Sequence, residues 1–134
     1  MMARRSSFGF LGRFGRSEDL RHLDFALRAA DLHPSVVPEG VKLALVNLLK
    51  DHFGDEPPEG AYAPAAALLA YCALGGEAFG RANGPEALDH AAGRVDQALE
   101  RSGSLDAGIV LLAFHARLIQ PGVVERHDID VDTD

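Results

Sequence analysis

One cysteine, no tryptophan and two tyrosines among 134 residues leave this chain without several common structural devices. With Cys72 alone, no internal disulfide can close, and a cysteine-based zinc site has no second thiolate. The two lysines, Lys42 and Lys50, stand against eleven arginines. A lone cysteine fits a reducing compartment. Arginine in place of lysine, with abundant alanine and glycine, fits a GC-rich bacterial genome, so a bacterial cytoplasmic protein is expected. The longest stretch without a charged side chain, residues 60–76, is short for a membrane span and dominated by alanine. A chain of this length buries about two-thirds of its unfolded surface when it folds alone. It needs no disulfide or metal staple, and no cofactor is expected.

The acidic balance, a net charge of −7, is unevenly placed. Residues 1–16 carry Arg4, Arg5, Arg13 and Arg16 with no acid. Residues 17–124 hold fifteen acidic side chains against eight basic ones, and residues 125–134 hold five against one. The sequence therefore divides into a basic arm over 1–16, a helical domain over 17–124 and an acidic tail over 125–134. The body lacks the basic face of a duplex-binding domain, so no nucleic acid is expected as partner.

The arm interleaves Phe8, Phe10 and Phe14 with its arginines. Gly9, Gly12 and Gly15 recur every third residue, each costing about 1 kcal/mol against Ala in a helix, so no free-standing helix is expected there. Arg4-Arg5-Ser6-Ser7-Phe8 imitates a twin-arginine signal. Arg13 interrupts the apolar run that should follow, and no small-residue cleavage site appears. Two roles remain for the arm. Its phenylalanines can dock on the body of the same chain or a neighbour, or the whole arm can lie on an anionic membrane surface.

Within the body, Ser17 with Glu18 and Asp19 reads as a helix start, followed by Leu20, Leu23, Leu27 and Ala30 on one face and an end before Pro34. A second helix opens around Ser35 and Pro38 and runs to about Phe53. Residues 54–60 are a breaker loop rich in Gly and Pro. Ala65–Leu74 is apolar all round, the pattern of a buried central helix. Gly75-Gly76 stops it, and Glu77-Ala78-Phe79 predicts a short turn. Pro85 starts a fourth helix with the stripe Leu88, Ala91, Ala92, Val95 and Leu99, and Ser104 caps a fifth, mostly apolar one over Leu105–Ile119. No stretch alternates in the manner of a strand. The expected fold is all-α: one single-domain bundle of about five main helices with short connecting turns.

A faint internal echo accompanies this pattern. At an offset of 87, Ser17, Asp19, Ala26, Ala29, Pro34, Val36 and Val37 match Ser104, Asp106, Ala113, Ala116, Pro121, Val123 and Val124. A duplicated helix–Pro–Val-Val unit and coincidence between alanine-rich helices both account for it.

Motifs that carry chemistry are sparse. The six histidines form neither HExxH nor any pair at metal spacing, so no metal site is expected. The tail from Asp128 imitates the start of a calcium loop but lacks the sixth-position glycine and the closing glutamate. Gly75, Gly76, Gly80 and Gly84 fit neither nucleotide-binding fingerprint. Cys72 and His115 lie on the two most apolar helices and would form a thiolate–imidazole pair if those helices brought them together. Tyr62 and Tyr71 would complete a small-ligand pocket around that pair.

Three functions follow, with the balance against an enzyme. The first is a protein-interaction or self-association module without catalysis, including a homodimer, because a small bundle buries two apolar helices completely only with difficulty. The second is a peripheral membrane protein held by Arg4, Arg5, Phe8, Phe10, Arg13, Phe14 and Arg16. The third is a small-ligand binder or enzyme with a pocket near Tyr62, Tyr71, Cys72 and His115.

Overall fold

The computed structural model describes the backbone of residues 9–129 and the side chains of residues 18–129. The described residues form seven α-helices: α1 (Gly9–Ala29), α2 (Glu39–Phe53), α3 (Tyr62–Leu74), α4 (Gly76–Asn83), α5 (Pro85–Glu100), α6 (Leu105–His115) and α7 (Pro121–His127). Short 3₁₀ turns cover Pro34–Val36 and Glu59–Ala61. No strand occurs among the described residues, and the all-α class holds.

α3 organises the packing. Leu68, Leu69, Ala70, Tyr71 and Cys72 are five consecutive buried residues, more than one full turn, so the helix is covered on every side. α1, α4, α5 and α6 supply that cover. The alanines at 65, 66 and 70 let neighbouring backbones approach, while Leu68 and Leu69 share one continuous apolar cluster with Leu23, Leu27, Val95 and Ile109. α2 completes the core from the far side of α1 and α6 through Val41, Leu45, Val46 and Leu49.

Four boundaries differ from the sequence reading. α1 begins at Gly9, so Ser17 lies inside a helix and caps nothing. Once residues 19–29 are packed, extending the helix N-terminally adds a hydrogen bond per residue without a new nucleation cost, and three glycines do not stop it. α4 is a full helix where a short turn was expected, because buried Phe79 anchors it against Tyr71, edge-on at 5.8 Å. α6 ends at His115, four residues early. Its terminal carbonyls are closed by Arg117 in the left-handed region (φ 61°) and by the Leu118 N–H donating to the Ala113 carbonyl at 2.8 Å. α7 is the seventh helix, and the boundary set at residue 125 falls within it.

The internal echo keeps only its second half. α1 and α6 both end in a left-handed residue, Asp31 and Arg117, with a proline starting the next helical turn, Pro34 and Pro121. Ser104 is a true cap, its Oγ accepting from the Ala107 N–H at 3.1 Å.

The α3–α4 corner depends on Gly75, which adopts φ +90°. A Cβ there would also stand 3.3 Å from Cγ of Gln120. Gly75→Ala is expected to destabilise the fold by about 1–3 kcal/mol, measured by urea denaturation. An unchanged midpoint would contradict this account of the corner.

Candidate functional site

The four residues expected to share a pocket are not brought together. Tyr62, in the first turn of α3, stacks on His22 with centroids 5.4 Å apart, and its hydroxyl donates to Asp19 Oδ1 at 3.0 Å. Tyr71 and Cys72 are buried in the middle of the core, the latter about 15 Å along α3 from Tyr62. His115 is exposed at the end of α6, edge-on to Phe114. No hydrogen bond joins Cys72 to His115 among the described residues. Burial pushes the Cys72 thiol up to about 12, so it stays protonated and sealed. The thiolate–imidazole expectation fails because α6 turns its last residue outward while α3 turns Cys72 inward.

The polar centre that does form was missed. His127, at the end of α7, is buried with its imidazole between two helices. Its Nδ1 lies 2.7 Å from Asp96 Oδ1 of α5, and its Nε2 lies 2.8 Å from the Tyr71 hydroxyl of α3. The Asp96 carboxylate accepts, so Nδ1 carries a hydrogen toward it, and with that tautomer Nε2 is the atom that faces the Tyr71 hydroxyl. Burial raises the Tyr71 pKa and keeps that donor in place, with Arg126 opposing the shift. The order carboxylate–imidazole–hydroxyl is that of a nucleophile-activating triad. Here the hydroxyl is fully buried, so the chain can hold elements together but no substrate can reach Tyr71. The sequence offered no signal: Tyr71 and His127 lie 56 residues apart, and His127 and Asp96 lie 31 apart.

Two further polar ties frame the surface. Arg94 of α5 donates from Nε and Nη2 to the two oxygens of Asp106 at 3.0 and 2.9 Å, and from Nη1 to the Pro64 carbonyl at 2.7 Å. It links α5, α6 and the first turn of α3 and borders a cleft of about 400 Å³ with Phe53, Pro58 and His90. Asp19 receives Tyr62 on one oxygen and faces Lys50 at 3.2 Å on the other. Beside it lies a cleft of about 530 Å³ with Glu18, Asp55, Glu56 and Glu59. Desolvation first, then the Asp19 hydrogen bond, raises Tyr62 to about 12.

A third cleft, of about 250 Å³, is of a different kind. Ala98, Leu99 and Ser102 at the end of α5 face Ala107, Val110 and Leu111 of α6, and Ile129 closes one side. Leu99 and Leu111 are each 45% exposed. Between α5 and α6, this groove presents apolar surface with a single hydroxyl.

Of the arm, Arg4, Arg5 and Phe8 lie outside the described residues, as do the side chains of Phe10, Arg13, Phe14 and Arg16. Among the described residues, no group of three or more His, Cys, Asp or Glu side chains is placed to hold a metal ion, and no helix is long and apolar enough to cross a membrane. His33 accepts from the Ser35 N–H through Nδ1 at 3.1 Å and starts a 3₁₀ turn.

The raised acidities fix the sign of an alkaline effect. Cys72 (9.0 in the unfolded chain) and Tyr62 (10.0) both hold their protons up to about 12 when folded. Their stabilising effect is complete below about pH 9 and is lost as pH rises toward 12. The urea midpoint is expected to fall between about pH 8.5 and about pH 10.5, and to fall less in Cys72→Ala. A midpoint that rises, or a variant that follows the wild type, would contradict the burial of these groups. No family model, curated protein or solved structure matches this chain.

Proposed function

We propose that this chain is a protein-interaction module without chemistry of its own, and that a second copy of itself is the partner. The observation that carries the reading is the α5–α6 groove, where Leu99 of amphipathic α5 and Leu111 of apolar α6 are exposed side by side. α6 packs on α2, α3 and α5, and Leu111 is the large apolar residue those three leave exposed. Two copies of a body with net charge −7 repel over most of their surface, so an uncharged apolar patch is where they meet. Such a patch is also self-complementary, as a two-fold contact requires. Exposed Glu100 and Arg101 give its rim both signs of charge. The sealed, protonated Cys72 supports a binding role over a catalytic one. The lone cysteine and arginine-rich composition support a bacterial cytoplasmic setting. Sedimentation at about 10–100 micromolar is expected to show a dimer. Leu99→Glu and Leu111→Glu are expected to give monomers that keep the helical content of the wild type. A wild type that stays monomeric throughout would overturn the reading.

A second reading, attachment to an anionic membrane, is favoured by one observation. Phe25 is 78% exposed on α1, with exposed Arg21 and Arg28 about one turn to either side, so the composition of the arm continues onto the described helix. Deleting residues 1–16 and replacing Phe25 by Ser should then abolish binding to vesicles containing phosphatidylserine, as should about 0.5 M salt. Intact protein that ignores such vesicles at low salt would remove this role.

A further inference from the structure

Ile129, two residues beyond α7, is buried in the α5–α6 groove, so the helix before it decides how much of that groove is open. α7 has seven residues, well below the length at which an isolated helix is stable. It packs extensively on no single helix, unlike the other six. It is attached through buried Val123, half-buried Val124, Ile129 just beyond it, and the His127 imidazole bonded to Tyr71 and Asp96. His127, buried among the described residues, is the side-chain polar tie that holds α7 to α3 and α5. Asp96 is 66% exposed, so one end of the clamp lies within reach of water.

The segment before α7 is fastened independently. The Gln120 N–H donates to the Cys72 carbonyl at 2.8 Å, and its side-chain amide donates to the Ala73 carbonyl at 2.9 Å. Both bonds satisfy the end of α3 and survive if α7 leaves. The place where α7 can part from this anchor is therefore just after Gln120, at Pro121-Gly122, where a Cβ on Gly122 would meet nothing within 4 Å.

We propose that α7 is a strap clamped by His127, whose release withdraws Ile129 and enlarges the α5–α6 groove for a second copy of the chain. The proposal rests on the self-association reading above and adds its regulation. With α7 in place, Leu99 and Leu111 form a small patch. With α7 released, Ala98, Ala107 and Val110, now buried, join the same surface. The closed strap thus restrains association without occupying the whole interface.

Amide hydrogen exchange and sedimentation on the full chain test this together. Asp96→Ala removes one half of the clamp from an exposed position and leaves the core intact, whereas His127→Leu removes both halves. In Asp96→Ala, amides of 123–129 are expected to exchange about tenfold faster, from loss of a charge-assisted hydrogen bond, while those of α3 keep their protection. The dimer should tighten by a similar factor, and His127→Leu should go further in the same direction. Simultaneous loss of protection in α3 and α7 would overturn the strap, because α7 would then open only with the whole fold. Unchanged or weaker association of Asp96→Ala, beside a wild type that does associate, would overturn the regulation alone. Absence of association in both proteins, with Leu111→Glu altering nothing, would overturn the reading on which the strap rests.

Discussion

A thirteen-residue helix with no charged side chain has no face that water can solvate well, and the remaining helices are arranged to cover it. Burial of each large apolar side chain of α3 contributes about 1.5–3 kcal/mol, an upper range because unfolded chains are already partly collapsed. Four helices are needed around α3, which is why α4 becomes a full helix instead of a turn and why α1 and α6 lie on it as neighbours. The same demand draws in Tyr71, whose ring fills the centre while its hydroxyl still requires a partner.

Polar atoms near this centre are therefore devoted to closure. Gln120 completes the end of α3, and Asn83 of α4 donates to the Ala30 carbonyl beyond the end of α1 at 3.0 Å. His127 answers Tyr71 and carries the connection on to Asp96. Each bond joins elements distant along the chain, and each removes an unsatisfied group from a place where it would cost about 1–3 kcal/mol. Arg94 does comparable work nearer the surface, and its bidentate pairing with Asp106 accompanies a side chain that is mostly covered.

Once α3 is enclosed, little material remains for the second apolar helix. α6 receives α2, α3 and α5, and its outer edge at Leu111 lies beside Leu99, with Ile129 on the same groove. The difficulty of burying two apolar helices in a small bundle was legible from composition. The identity of the open edge was not, because it depends on which side of α6 its neighbours occupy. The proposed ligand pocket failed for the same reason: spacing placed Tyr62, Tyr71, Cys72 and His115 on apolar helices without telling which way each would face.

Periodicity and caps are local properties, and the sequence by itself determined the all-α class, the central position of α3, the Ser104 cap and the loop over 54–60. It also determined the uneven charge, with a basic arm ahead of an acidic body. Helix length was less secure at the ends: α1 extends through glycines because its packed half has already been nucleated, and α6 stops early because Arg117 and Leu118 close it. Only the tertiary structure decided the role of His127. His127 lies in the stretch set apart as an acidic tail, and it is buried because the Tyr71 hydroxyl, 56 residues away, meets it in the core. Hydrophobic pattern specifies which residues leave water, whereas the pairing of polar groups is settled by the geometry in which the helices meet.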